Sequence, residues 1–141
     1  MEDYKTRAKT LLKTKRYLET AANALREQVA FLESACRERE KETCDSDRPI
    51  RSEDWKQLLD KLDDCRFRLH LLDEQLEQIH RAYELLTPYQ RDLLDTFFAS
   101  GSKNCAETLC ERYYRERSAI YRDRQKALNE FTLAAFGVLT R

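Results

Sequence analysis

Residues 55–86 read WKQLLDKLDDCRFRLHLLDEQLEQIHRAYELL. Trp55, Leu62, Leu69, Leu76 and Tyr83 recur every seven residues, and Leu58, Cys65, Leu72, Ile79 and Leu86 each follow three residues on. Two apolar positions per heptad over five heptads mark an α-helix that buries a seam against another helix. Neither Gly nor Pro interrupts the run. A lone helix cannot bury such a seam, so the pattern implies an all-α fold with a second long helix as partner.

The partner is upstream. Tyr4, Leu11, Leu18, Leu25 and Leu32 repeat every seven residues from 2 to about 43, with Ala8, Ala22, Val29 and Cys36 four after members of that series. Lys15 interrupts the second series. Between the helices, Cys44 to Arg51 (CDSDRPIR) breaks the pattern, because Pro49 biases Arg48 away from helix. Ser52 is the expected N-cap, with Glu53 and Asp54 complementing the helix dipole. The short connector and similar seam lengths predict a long N-terminal antiparallel coiled-coil hairpin over 1–86. Pairing between two chains is the rival. The basic first turns (Lys5, Arg7, Lys9, Lys13, Lys15, Arg16) read as a solvated helix end, with a phosphate-contacting arm as the alternative.

Residues 87–141 change character. Thr87-Pro88-Tyr89-Gln90 has an N-cap, a Pro at the first helical position and the Gln of a capping box. The helix it opens carries Tyr89, Leu93, Leu94, Phe97 and Phe98 and stops at Gly101, the expected left-handed cap. Asn104 and Glu107 suggest a second capping box, before a helix that buries Leu109, Cys110 and Tyr113. A break near Tyr114 to Glu116 leads into a last helix that runs to about Phe136, before Gly137. Three short helices at this spacing predict a tri-helical head.

The last helix carries the candidate chemistry in YYRERSAIYRDRQKAL, residues 113–128. Ile120, Arg124, Ala127, Leu128 and Phe131 share one helical face, apolar except for Arg124. Ser118, Arg122, Gln125 and Asn129 lie opposite, flanked by Arg117, Tyr121 and Lys126. From Arg112 to Lys126, six basic residues stand against Glu116 and Asp123, in a chain of net charge zero. Such side chains can reach phosphates and base edges, although a solvated outer face is the ordinary reading of a charge run.

Composition excludes several classes. Two Gly and two Pro in 141 residues leave little room for a Gly-rich phosphate loop or for the turns of an all-β fold. No apolar run is long enough to span a membrane, and no signal-peptide core is present. Cys36, Cys44, Cys65, Cys105 and Cys110 form no C-x-x-C and are odd in number, which predicts reduced thiols in a cytoplasmic protein. His70 and His80 lie on different faces of their helix, so no zinc site or other cofactor is expected. No nucleophile–base pair has a plausible setting, and Asp63, Asp64, Asp73 and Glu74 belong to a solvated helix face, so an enzyme is not expected.

Residues 87 to about 131 resemble region 4 of bacterial sigma factors, and more closely the sigma-like regulators of phages and prophages of the ArpU and RinA type. Leu109-Cys110 stand at that family's hydrophobic-Ala pair. Arg117-Ser118-Ala119-Ile120-Tyr121-Arg122 stand at its recognition helix, and Lys126-Ala127-Leu128 at its closing triplet. The departures are Tyr114 and Arg115 in the turn, and Glu116 where the family has an N-capping Ser. The resemblance implies a helix-turn-helix that binds double-stranded DNA sequence-specifically in transcription control, with RNA polymerase open as a further partner. It implies that Arg117, Ser118, Arg122 and Gln125 face the major groove. Arg115, Tyr121 and Lys126 complete the expected DNA-binding set, Arg115 and Lys126 as phosphate contacts.

Two other functions fit the outline. One is a coiled-coil adaptor that binds another protein; the other is a DNA-recognition subunit like a phage small terminase. A homodimer is expected through coiled-coil or C-terminal surfaces, because the tail residues Phe131, Leu133, Phe136, Val138 and Leu139 are unusually apolar. The alternative is that the tail folds back onto its own chain.

Overall fold

A computed structural model describes residues 3–45 and 52–140, and among these every regular element is helical. Helix α1 spans Tyr4–Asp45 and α2 Ser52–Glu84. Three shorter helices follow: α3 (Pro88–Leu94), α4 (Cys105–Tyr113) and α5 (Arg117–Phe136). At 42 residues α1 is roughly 60 Å long. Most of the break expected at Cys44–Arg51 lies outside the described residues, and Ser52 is already helical. No described helix is long and apolar enough to cross a membrane.

The chain divides into two compact units, Leu18–Glu74 and Met1–Tyr17 with Gln75–Arg141. This division cuts both long helices.

In the first unit, α1 and α2 pack on each other. Leu32, Cys36, Leu62 and Cys65 are buried together, with Leu25, Val29, Trp55 and Leu58 against them. All eight are heptad positions. Arg26 pairs with Asp73 at 2.5 Å and Arg66 with Glu33 at 2.9 Å. As one partner number rises the other falls, so the helices run antiparallel within this unit. Each ion-pair residue directly follows a heptad position, which places both pairs on one flank of the seam. Their side chains are about half exposed, so the apolar layer rather than the ion pairs supplies most of the stability.

The second unit has its own core. Leu93 of α3, Leu109 of α4 and Ile120 of α5 are fully buried together, with Tyr89, Phe97, Cys110 and Tyr113 against them. The Thr87 capping box is formed as expected: Thr87 Oγ1 accepts from the Gln90 amide, and Gln90 Oε1 accepts from the Thr87 amide, each at 3.1 Å. Gln90 then uses its side-chain amide to reach Glu130 of α5 (2.7 Å). Arg91 donates twice to the Leu86 carbonyl, satisfying an acceptor left open where α2 ends.

Two details differ from expectation. The helix begun at Pro88 widens into a π turn at Asp95–Ala99 before Gly101 takes its left-handed φ of 68°. And Lys15, which interrupts the heptads, is not a defect. Its ammonium lies 3.3 Å from Asp95 and 4.4 Å from the centre of the Tyr83 ring, while the Tyr83 hydroxyl donates to the same carboxylate (2.8 Å). Lys15 of α1 therefore holds the π turn by charge, beside the fully buried Ala8 and Leu12 of the same stretch of helix.

The apolar tail is used largely within its own unit. Phe131 is fully buried, edge-on to Tyr83 at 5.8 Å. Phe136 lies 5.8 Å from the Tyr4 ring and under the Arg7 guanidinium. Leu133 and Leu139 remain exposed.

Candidate nucleic-acid interface

The candidate surface is the outer face of α5 with the turn before it. Helix α4 ends at Tyr114, which adopts a left-handed φ of 54°, and Arg115 N–H closes the turn onto the Cys110 carbonyl (3.2 Å). Such a conformation favours Gly, and here it is held by an aromatic residue that is 95% exposed. Glu116 is the N-cap of α5 in extended conformation, but its side chain caps nothing. The first amides of α5 are thus left without a side-chain acceptor.

At the start of α4, Asn104 holds the N-cap position without the bond expected of a capping box. Its ψ of 45° departs from the extended backbone that lets an Asn side chain reach back to the first turn. The Cys105 thiol anchors this end instead, its single S–H shared between the carbonyls of Thr96 (3.0 Å) and Ser102 (2.9 Å).

The phase of α5 follows the apolar residues as expected. Ile120, Ala127, Leu128 and Phe131 are buried, whereas Arg117, Ser118, Arg122, Gln125 and Lys126 are exposed and Tyr121 is half-buried. Arg124, the one charge on the apolar face, stacks on Phe97 (4.8 Å) and Tyr121 (4.9 Å). A guanidinium can sit against apolar side chains in this way because its faces are weakly hydrated.

The six basic residues do not form one free cluster. Arg112 donates to both Asp92 oxygens at 2.7 and 2.6 Å, and the Tyr113 hydroxyl bonds the same carboxylate. Burial alone pushes the Asp92 carboxyl up, but these hydrogen bonds outweigh it and hold the group below its ordinary pKa. Arg115 pairs with Asp123 at 2.9 Å and lies over the Tyr89 ring at 5.1 Å. The Tyr89 hydroxyl donates to Asp123 (2.8 Å). Burial, then this bond, pushes the Tyr89 phenol up to about 12. Arg117 stacks on Tyr121 at 5.8 Å. Among the described residues, Arg122 and Lys126 are the two of the six with no hydrogen bond, ion pair or ring contact in the chain.

Arg115, expected as a phosphate contact, also ties the turn to α3 through Asp123 and Tyr89, while its side chain stays about half exposed. Tyr89, Asp92 and Asp123 carry this arrangement, and sequence reasoning missed all three. Asp123 stood out only as an acid inside a basic run, and nothing in its spacing to Arg115 or Tyr89 marked it as their common partner.

Comparison with models of protein families, with curated proteins and with solved structures returns no match to this chain.

Proposed function

We propose that this protein binds double-stranded DNA sequence-specifically and regulates transcription. In this reading α4 and α5 act as a helix-turn-helix of the sigma region 4 kind, carried on a coiled-coil hairpin. One observation carries it: Arg122 and Lys126, without partners in the chain, stand beside exposed Ser118 and Gln125 on the strip opposite a fully buried face. A rigid core behind exposed polar side chains is what direct readout needs. The uncapped start of α5 suits a backbone phosphate. RNA polymerase as a further partner, and two copies on paired half-sites, belong to the same reading.

The adaptor reading keeps one observation in its favour, since four of the six basic side chains are occupied within the chain. Selection from random duplexes separates the two. A DNA regulator enriches a site; an adaptor enriches none. On the enriched site, Arg122→Ala should cost about 1–3 kcal/mol and relax preference at one base pair. Lys126→Ala should weaken site and scrambled duplex alike and lower the salt slope by about one unit. If Arg122→Ala leaves affinity and preference unchanged in a folded protein, the proposal fails.

A further inference from the structure

Gln125 is not a free amide. Its Nε2 donates to Asn129 Oδ1 at 3.3 Å, one turn further along α5. The same Asn129 oxygen accepts from the Thr140 hydroxyl at 3.0 Å. Thr140 reaches it because Gly137 ends α5 in a left-handed conformation (φ 71°), with its N–H on the Leu133 carbonyl (2.8 Å). The chain then reverses, which brings Thr140 beside Asn129. Asn129 Oδ1 thus accepts from both Thr140 and Gln125, and links the residues after α5 to the exposed strip.

A glutamine amide has two N–H donors and one carbonyl acceptor. Asn129 takes one N–H and leaves the carbonyl and one N–H of the Gln125 amide available. That pair matches adenine in the major groove, whose N7 accepts and whose N6 amino group donates. Arg122 lies one turn before Gln125 with its guanidinium unpartnered, and a free guanidinium matches the two acceptors of guanine. Three residues of helix separate them by about 4.5 Å along one exposed face, which puts both side chains within reach of base pairs close together in one groove.

We propose that Asn129 and Thr140 are positioning residues that fix the Gln125 amide for adenine, so that the recognised DNA carries adenine and guanine at base pairs close together in one groove. This rests on the DNA-binding reading of α5. It adds the base class and gives the C-terminal tail a part in specificity.

The test uses the full chain. Duplexes selected by the wild type are re-measured with each base substituted in turn, against wild type, Asn129→Leu, Thr140→Val and Gln125→Ala. Gln125→Ala should abolish the preference for adenine at one position. Asn129→Leu should lower it about tenfold and Thr140→Val less, with the neighbouring guanine preference and scrambled-duplex affinity unchanged. A 1H–15N spectrum without DNA gives a second readout: the Gln125 side-chain amide signals should move in both positioning variants. If no duplex is enriched, the DNA-binding reading itself falls. If a site is enriched without adenine and guanine close together in one groove, or if Asn129→Leu weakens all duplexes equally, this inference falls while that reading stands. Unmoved amide signals in Asn129→Leu would overturn the positioning role of Asn129 without any DNA.

Discussion

Replacing Tyr114 by glycine should stabilise the protein although it removes an aromatic side chain. Tyr114 has φ 54° and ψ 44°, where a Cβ crowds the backbone at roughly 1–2 kcal/mol for a residue other than glycine. Two effects oppose the gain. Glycine has more backbone freedom to lose on folding, about 0.5–1 kcal/mol. The ring is 95% exposed, so about 10 Å2 of contact is lost, or roughly 0.25 kcal/mol. The balance is a gain of about 0.5 kcal/mol, which corresponds to a rise of roughly 1–2 °C in Tm for a chain of this length. Urea and thermal unfolding of wild type, Tyr114→Gly and Tyr114→Ala measure it. Alanine keeps the Cβ and loses only the ring, so it should leave stability within about 0.5 kcal/mol of wild type on the low side. A fall in stability for glycine larger than that for alanine would refute the reasoning, because the left-handed turn would then carry no Cβ penalty. If alanine stabilised as much as glycine, the ring rather than the backbone would be the source.

Two other outcomes are expected. Lys15→Leu completes the heptad series, yet it should destabilise the protein by about 0.5–1.5 kcal/mol, because it removes the ion pair to Asp95 and the contact with the Tyr83 ring; a raised urea midpoint would show that the seam, not the π turn, sets the value of this position. Asp92 has its pKa lowered in the fold, so its contribution is full above the unfolded carboxylate value of about 3.9 and is lost as pH falls through the lower folded value. Asp92→Asn should lower stability at neutral pH and flatten its acid dependence; melting curves between roughly pH 5 and 2 that keep the wild-type slope would sink this.

The sequence by itself determined the helices and their buried faces. Heptad spacing specified which residues of α1 and α2 meet, since eight heptad positions make up the apolar layer of their unit. Period alone set the phase of α5, with Ile120, Ala127, Leu128 and Phe131 buried and Arg122 and Gln125 outside. These features are legible because burial repeats with the helix and apolar area is roughly additive along the chain. Local caps were legible only where the backbone allowed them: Thr87 with Gln90 succeeded, and Asn104 did not.

The tertiary structure alone decided the pairing of the charged and polar groups. Lys15 with Asp95 spans 80 residues, Tyr89 with Asp123 34, and Gln78 with the Ala135 carbonyl 57. It also decided that Arg115 pairs with Asp123 while Arg122 is unpartnered, a difference the basic run does not record. A hydrogen bond or ion pair depends on distance and angle between groups that no period relates, so composition and spacing carry no record of it. Hydrophobic burial is non-directional and leaves its trace in the pattern; directional contacts arise only once the helices have been brought together.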